Sequence, residues 1–349
     1  MSTFRVGITN DFAPGNLIGG WIDDPLRRLL DPLPELEWEF VAASAPVIAP
    51  EIVAHYDAVI TAEPRWTADS FRNLTRLALV AYWGIGVDGI DLGAATEADI
   101  AVTNSPSPGN HASVAESALT LVLSLSKHLL IKDQLTKQGR ASDAQAMLGS
   151  LIRGRTVGTI GFGATARTFA AMVRALGPAR LLACDPYVRP EVAEQAGVEL
   201  ADIKTVMQSS DYVVVMCTLA DETRGLISAE LLGLMKPTAC LVNTARGPIV
   251  DQPALVSRLR DGSLAGAALD VTEPEPPELG DAILHLENVI TTGHSIAWTR
   301  ESVQGACEEP CLAVASAYRG DVPSHVVNHA VVSRPGYRAK LTRREGRGR

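Results

Sequence analysis

Arg246, Glu275 and His294 are three ionisable residues that each follow a short apolar run in the second half of the chain. Such runs are typical of buried parallel strands, and ligands bind beyond the carboxyl ends of those strands. A guanidinium, a carboxylate and an imidazole at such an edge could polarise a carbonyl group and move a proton to or from its oxygen. Taken singly, Arg246 could cap a helix, Glu275 could be a solvated charge, and His294 could be a hydrogen-bonded loop residue.

A glycine-rich turn precedes these residues and predicts a dinucleotide site. The apolar run 157–160 leads into Gly161-x-Gly163-x-x-Ala166, and residues 167–176 then repeat apolar side chains at helical spacing. In a strand–turn–helix unit, the first glycine forms the turn and the second lets the backbone approach a pyrophosphate. The third small residue lets the helix pack on the strand, and the helix N-terminus binds the phosphate. An ordinary structural turn is the alternative.

Asp185 ends the next predicted strand, about 20 residues beyond the glycines, where a carboxylate can bind the adenosine ribose. Pro186 follows it, and no Arg stands beside it to receive a 2′-phosphate. This pattern indicates NAD as the cofactor. The alternative is that Asp185 only caps a turn.

The composition narrows the class of protein. A length of 349 residues suits two domains, and 46% apolar with 20% charged residues is ordinary for a globular protein. A net charge of -9 argues against nucleic acid and anionic membranes, and no apolar run is long enough to span a bilayer. No signal peptide opens the chain, and the five cysteines form no Cys-x-x-Cys pair. We therefore expect a cytoplasmic protein without a metal site.

The flanking segments predict further elements. Short strands alternate with helical or loop segments over the first hundred residues, and 82–91 is a glycine-rich turn that could present N–H groups to a carboxylate or be an ordinary connection. Residues 104–110 form a Pro/Gly-rich joint. Residues 113–131 predict one helix, apolar nearly all round, which would lie between domains or between subunits, and its surplus apolar surface predicts a homodimer. Residues 335–349 form a basic C-terminal tail, of which 339–349 are predicted to be a solvated, partly disordered end, with a partner-binding arm as the alternative.

With these motifs in place, the chain resembles the D-isomer-specific 2-hydroxyacid dehydrogenase family from about residue 77 to about residue 330. The matching segments are 84–91 (GIGVDGID), 113–116 (SVAE), 157–166, 222–227 (ETRGLI), 243–247 (NTARG), 268–271 (ALDV), Glu275 with Pro276, and His294. Tyr82 and Trp83 stand where phosphoglycerate dehydrogenases of the family usually carry Arg-Ala, which removes a cation for a phosphate-bearing substrate. Formate dehydrogenases of the family typically have Gln where this chain has Glu275, so formate is disfavoured.

The resemblance implies a role for each site residue. Arg246 would bind and polarise the substrate, His294 would be the acid/base, and Glu275 would pair with His294. The N–H groups of Ile85 and Gly86 would bind the substrate carboxylate. The implied cofactor-binding residues are Gly161, Gly163, Ala164, Thr165, Ala166, Asp185, Cys217, Thr244 and Asp270.

We therefore expect an α/β protein of two Rossmann-like domains with doubly wound parallel sheets and an active site in the interdomain cleft. The expected domains are a substrate-binding domain (1–104, completed by 299–334), an NAD-binding domain (105–298) and the tail. The expected activity is NAD-dependent hydride transfer at C2 of a small D-2-hydroxy acid or 2-keto acid. The alternative is an NAD-responsive binding scaffold of the corepressor type on the same fold.

Overall fold

The computed structural model describes residues 3–16, 18–41 and 46–343. The strands of this part of the chain are β1 (Phe4–Thr9), β2 (Leu36–Val41), β3 (Ala58–Thr61), β4 (Leu79–Tyr82), β5 (Ala101–Thr103), β6 (Thr156–Ile160), β7 (Arg180–Cys184), β8 (Glu199–Leu200), β9 (Tyr212–Val215), β10 (Cys240–Asn243), β11 (Gly266–Leu269) and β12 (Val289–Thr291).

Helices alternate with the strands. The α-helices are α1 (Asp23–Pro25), α2 (Pro50–Val53), α3 (Leu92–Glu97), α4 (Pro108–Lys127), α5 (Leu129–Lys137), α6 (Ala141–Ala146), α7 (Ala164–Arg174), α8 (Pro190–Ala196), α9 (Ile203–Ser209), α10 (Ala229–Gly233), α11 (Gln252–Arg260), α12 (Arg300–Tyr318) and α13 (Pro335–Leu341). Short 3₁₀ or π turns cover Asn10–Phe12, Leu26–Leu30, Ala68–Phe71, Gly247–Ile249, Ala282–His285 and His329–Ser333.

The chain forms two compact units, and unit 1 combines residues 1–110 with 300–349. Its parallel sheet has the order β2-β1-β3-β4-β5. The central strand β3 is buried along its whole length, whereas the edge strand β2 alternates exposed and partly buried residues. Helix α12 packs against β3, β4 and the turn Leu26–Leu30.

Unit 2 comprises residues 111–299. Its parallel sheet has the order β12-β11-β10-β9-β6-β7-β8. Numbered from β6, the order β8-β7-β6-β9-β10-β11 is that of the doubly wound dinucleotide fold, with one further strand at β12. The chain reverses direction across the sheet at β6, so the carboxyl ends of β6 and β9 form the switch point where such folds bind ligands. The predicted α/β class with two parallel sheets is confirmed.

The helix predicted over 113–131 is wrong in its extent. Helix α4 ends at Lys127, because His128 takes a left-handed backbone angle (φ 53°) and starts a new helix at Leu129. Within unit 2, the buried residues of α4 are Ser113, Ala115, Ser117, Ala118, Leu121, Val122, Leu125 and Ser126. Much of the apolar surface of α4 is thus covered by its own unit.

The basic tail is helical at its start, so the solvated end predicted for 339–349 is wrong for residues 339–341. Residues 335–341 form α13, in which Tyr337 and Leu341 are buried. Lys340 donates hydrogen bonds to the carbonyls of Leu74 and Ala98. Charged residues can carry an amphipathic helix, which a count of basic residues does not reveal. Residues 344–349 lie outside the described residues. The units divide at 110/111 and 299/300, where the sequence predicted 104/105 and 298/299.

No single helix in the described chain is long and apolar enough to cross a membrane. The stretch Gly109–Lys127 and α5 pass such a test only together, across a 57° bend.

Candidate active site

The three ionisable residues follow three strands that are neighbours in the sheet of unit 2. Arg246 follows β10, Glu275 follows β11 and His294 follows β12, and the order β12-β11-β10 is contiguous. Because parallel strands end at the same edge of a sheet, their following loops are neighbours as well. The topology therefore explains how residues almost 50 positions apart belong to one edge.

Glu275 and His294 are in direct contact, with 2.5 Å between Glu275 Oε1 and His294 Nδ1. Burial alone would raise the pKa of Glu275. Its pKa is nevertheless lowered below the usual range, because three neighbours favour the charged carboxylate: His294 by its hydrogen bond and charge, Thr272 by a backbone hydrogen bond, and Arg246 by its charge. The carboxylate is therefore ionised at neutral pH and accepts the Nδ1 proton. The proton that this imidazole can exchange with a substrate is then the one on Nε2.

The backbone of His294 is held in an uncommon conformation. Gly293 and His294 both have positive φ values, 58° and 56°, and a left-handed histidine persists only where its surroundings fix it. Asp270 provides that constraint within unit 2. Its carbonyl accepts from the His294 N–H, and its Oδ1 accepts from the hydroxyl of Thr292 and the N–H of Ser295. Asp270, predicted as a cofactor contact, is thus also the anchor of the His294 loop.

Arg246 lies in a tight turn that is fixed from both sides. The Asn243 side chain accepts from the N–H of Ala245 and donates to the carbonyl of Arg246. A Cβ on Gly247 would come within 2.0 Å of the Thr272 carbonyl oxygen. Glycine therefore lets the Arg246 turn pack directly on the loop that carries Glu275, which accounts for the effect of Arg246 on that carboxyl group.

The glycine turn has the geometry that a dinucleotide site needs. Gly161 has a φ of 94°, and a Cβ there would lie 2.7 Å from the backbone nitrogen of Cys217, so only glycine fits. A Cβ on Gly163 would meet nothing within 4 Å, so this side of the turn is open to a ligand. Ala166 is buried, as close packing of α7 on the sheet requires.

Helix α7 begins at this turn and is suited to bind phosphate. Its N-cap is Gly163, which has no side chain to satisfy the N–H groups of the first helical turn. Ala164 and Thr165 form that turn, and their N–H groups can bind a pyrophosphate together with the helix dipole. The Thr165 hydroxyl lies 3.2 Å from Nδ1 of His111, which places an imidazole beside the turn.

Asp185 and Cys217 lie at the carboxyl ends of β7 and β9, on either side of the glycine turn. Asp185 accepts from the N–H groups of Phe162 and Tyr187 at 2.8 and 2.9 Å, one on each carboxylate oxygen. It therefore acts as the turn cap considered above. A carboxylate offers about four lone-pair positions, so it can still accept from a ribose. Burial raises the pKa of the Cys217 thiol to about 11, so this cysteine stays protonated.

Thr244 provides a test of whether a polar ligand fits at the end of β10. Its hydroxyl is buried and has no hydrogen-bond partner among the described residues. Buried hydroxyls are normally satisfied, so one at a binding edge without a protein partner is suited to bond a polar ligand. Together with the open side of Gly163, this fits a bound dinucleotide.

Ile85 and Gly86 lie in unit 1, in the turn that follows β4. The carbonyls of Tyr82, Gly84 and Ile85 accept from Ser105 Oγ, Ser105 N and Asn104 Nδ2 respectively. No hydrogen bond is seen from the N–H groups of Ile85 and Gly86 to any described residue. Asn104 and Ser105 thus satisfy the carbonyls of this turn, while the N–H groups of Ile85 and Gly86 are available to an anion.

The sequence analysis included Asn243 in the segment 243–247 and Asn104 in the joint 104–110 but predicted no hydrogen bonds for either, and it did not single out Gln252. Asn243 and Asn104 each lie at the carboxyl end of a predicted strand, and that position was the available signal. Gln252 lies on a helix and offered none. In the described ranges, no group of three or more His, Cys, Asp or Glu side chains could hold a metal. A groove of about 820 Å³ runs along β7 and β8, but its residues include Arg180 at the amino end of β7, away from the binding edge.

Comparison with known proteins identifies the family. Residues 119–295 match the family described as "D-isomer specific 2-hydroxyacid dehydrogenase, NAD binding domain". A D-3-phosphoglycerate dehydrogenase of Archaeoglobus fulgidus is 39% identical over 251 residues, which cover 72% of this chain but 47% of that longer protein. A glyoxylate reductase of Thermococcus onnurineus is 35% identical over 296 residues, 82% of this chain and 88% of that one.

Among solved structures, the TT0316 protein of Thermus thermophilus is 27% identical with a TM-score of 0.79, covering 93% of this chain and all of that one. The identity and coverage of these matches, with the glycine turn and the strand-end residues, establish the family. The chain belongs to the D-isomer specific 2-hydroxyacid dehydrogenases, a family of NAD-dependent oxidoreductases.

Proposed function

We propose that the protein catalyses reversible hydride transfer between NADH and C2 of a small 2-keto acid, giving the D-2-hydroxy acid. The observation that carries this proposal is the 2.5 Å contact between Glu275 and His294 at the edge where the nucleotide-binding sheet ends. Bound NADH supplies the hydride. The protein supplies a proton donor, a cation and a site for the substrate carboxylate.

In the direction of reduction, His294 in its protonated form donates the Nε2 proton to the carbonyl oxygen as C2 gains the hydride. Glu275 stabilises the imidazolium before this transfer and fixes the ring by accepting from Nδ1. Arg246 polarises the carbonyl group, since a guanidinium stabilises the charge that develops on oxygen. His294 is left neutral and regains a proton from solvent. Oxidation follows the reverse steps.

We assign the substrate carboxylate to the N–H groups of Ile85 and Gly86. The support is the geometry of their own turn, whose carbonyls are occupied by Asn104 and Ser105. We further propose that the acid carries no phosphate, because Tyr82 and Trp83 stand where the phosphoglycerate dehydrogenases of the family usually carry Arg-Ala. Glyoxylate, pyruvate and hydroxypyruvate are the simplest candidates.

The test is the loss of NADH absorbance with a panel of 2-keto acids that includes 3-phosphohydroxypyruvate. We expect turnover with a small unphosphorylated acid, and we expect His294→Ala to lower kcat by about 10²-fold or more. Turnover of any of these acids would also show that the protein is an enzyme and not an NAD-responsive binding scaffold. The proposal fails if no acid in the panel is reduced, and the choice of substrate fails if the phosphorylated acid is clearly preferred.

We also propose that the protein is a homodimer that uses an apolar patch on unit 2. The patch consists of Leu129, Leu130, Leu148 and Leu151, all exposed, with Leu148 at 86% and Leu151 at 66%. The backbone of Gly149 and Ser150 packs on the end of α4 near Ser126, which brings these leucines to one region. An exposed group of large apolar side chains is typical of an interface, and a second copy is the commonest partner.

Sedimentation velocity tests this proposal with the double variant Leu148→Asp/Leu151→Asp. We expect the parent to sediment as a dimer and the variant as a monomer, because two buried charges would oppose association. Leu279→Asp is the control, since Leu279 is 91% exposed elsewhere in unit 2. A monomeric parent at micromolar concentration would exclude the dimer.

A cytoplasmic location is proposed from the cysteines. All five are free thiols, and Cys240, Cys307 and Cys311 are buried. This usage suits a reducing compartment, and cell fractionation with a specific antibody would test it.

A further inference from the structure

Gln252 makes three hydrogen bonds to the loop that carries Glu275. It is the first residue of α11 and is 8% exposed. Its Oε1 accepts from the N–H of Glu273 at 3.0 Å, and its Nε2 donates to the carbonyl of Glu273 at 2.9 Å. The same Nε2 also donates to Asp281 Oδ2 at 3.1 Å. The amide therefore pairs with the backbone of Glu273 as a neighbouring strand would.

These contacts hold both ends of one loop. Glu273 lies two residues before Glu275, and Asp281 lies at the far end, where its other oxygen caps the turn Ala282–His285. Residues 274–280 lie between the two anchors. They are mostly exposed, so they have little packing of their own to fix them. The position of the Glu275 carboxylate consequently depends on these anchors together with Thr272, whose hydroxyl donates to the carbonyl of Pro274 and whose backbone bonds the Glu275 carboxylate.

We infer that Gln252 is a positioning residue that sets the Glu275 carboxylate against His294 without touching the substrate itself. This inference rests on the proposed function, because it needs Glu275 to act through His294. Loss of the anchors would let the carboxylate move away from Nδ1. The imidazolium would then be less stable and the ring less well aligned.

The experiment uses Gln252→Met, which keeps the length and approximate volume of the side chain but removes all three hydrogen bonds. Asn288→Leu is the matched control, since Asn288 also bonds backbone carbonyls of unit 2, those of Leu259 and Ala265, away from the Glu275 loop. Hydrogen–deuterium exchange of peptides covering 271–281 is measured first, without substrate. The pH profile of kcat for keto-acid reduction is then measured for Gln252→Met, Glu275→Gln and their combination.

We expect faster exchange over 271–281 in Gln252→Met and not in Asn288→Leu. We expect kcat to fall about tenfold, the scale of a modest misalignment, with the KM for NADH unchanged. In Gln252→Met, the alkaline limb of the pH profile of kcat should move to lower pH, which is also the direction expected for Glu275→Gln. In the Glu275→Gln background, Gln252→Met should produce no further shift, because the carboxylate it positions is gone.

Two results would overturn the inference while leaving the proposed function intact. Unchanged exchange over 271–281 would show that Gln252 does not anchor the loop. Faster hydrogen–deuterium exchange over 271–281 with an unchanged pH profile of kcat would show that Gln252 anchors the loop without affecting His294. If Glu275→Gln itself leaves the profile unmoved, the proposed role of Glu275 fails, and the inference about Gln252 fails with it.

Discussion

At the scale of single residues, Asp270 and Glu275 together fix His294 and its loop. Its backbone is held in a left-handed conformation by Asp270, its Nδ1 is bound by Glu275, and Asp270 Oδ1 also fixes the following residue, Ser295. A histidine alone in a loop would sample several rotamers and both tautomers. Here Nδ1 is bound to Glu275, so Nε2 is the ring nitrogen that we propose to carry the proton.

Glu275→Gln tests this pairing through pH. Because the pKa of Glu275 lies below its ordinary value of 4.5, the substitution removes a full negative charge at every pH of a normal assay. The imidazolium loses its partner, so reduction, which is proposed to need it, should lose rate at a lower pH than in the parent. Oxidation needs neutral imidazole and should keep its rate to a lower pH. Profiles of kcat against pH in both directions provide the measurement.

Glu278→Gln is the control for this change, since Glu278 is an exposed carboxylate of the same loop. It should leave both profiles in place. Should Glu278→Gln and Glu275→Gln behave alike, the effect would be one of general surface charge, and the specific pairing would be wrong.

Asp185→Ala tests the choice of cofactor. The carboxylate should repel a 2′-phosphate and bind a 2′-hydroxyl, so the parent should prefer NADH. The variant should narrow the ratio of kcat/KM for NADH over NADPH by about tenfold, the scale of one hydrogen bond to a charged group. Asp202→Ala is the control, because Asp202 also accepts from a backbone N–H, at the start of α9. Equal use of both cofactors by the parent would contradict the assignment.

At the scale of elements, strand ends and their turns determine what is presented to ligands. The turn after β4 directs its carbonyls to Asn104 and Ser105, and its amides are thereby available. Asn104→Ala should raise the KM for the keto acid about fivefold, the scale of one neutral hydrogen bond, with the KM for NADH unchanged. Asn16→Ala removes a similar side-chain amide-to-carbonyl hydrogen bond in unit 1, and it should change neither the KM for the keto acid nor the KM for NADH. A parallel rise in both KM values for Asn104→Ala would indicate general loosening of the unit.

Some of these elements could be predicted from the sequence and others could not, for physical reasons. Continuous apolar runs such as Tyr212–Val215 are recognisable because a parallel strand is buried on both faces. The two-residue strand β8 was missed, since a pair such as Glu199–Leu200 has no periodicity. The break at His128 was missed because nothing in an apolar helical pattern marks one left-handed residue. The side-chain hydrogen bonds of Gln252 could not be predicted from the sequence, because they join residues that are 21 and 29 positions apart.

At the scale of the whole molecule, the last described helix stabilises unit 1. Tyr337 of α13 is fully buried, and its hydroxyl has no hydrogen-bond partner among the described residues. Tyr337→Ala should lower the free energy of unfolding by about 3–5 kcal/mol, as loss of a buried aromatic ring does. Tyr337→Phe should leave stability equal or higher, because it removes an unsatisfied polar group. Thermal unfolding by calorimetry measures both, and a large loss for the Phe variant would mean that the hydroxyl is satisfied.

Unit 2 is a continuous stretch of chain inserted between two parts of unit 1. During synthesis on the ribosome, residues 111–299 can emerge and fold while unit 1 still lacks α12 and α13, which cover part of its core. Until then, part of the apolar surface around β3 and β4 is uncovered in the nascent chain. Because the first segment of unit 1 precedes unit 2 in the chain and α12 and α13 follow it, unit 1 is completed later than unit 2, and chaperones are expected to bind the growing protein at unit 1.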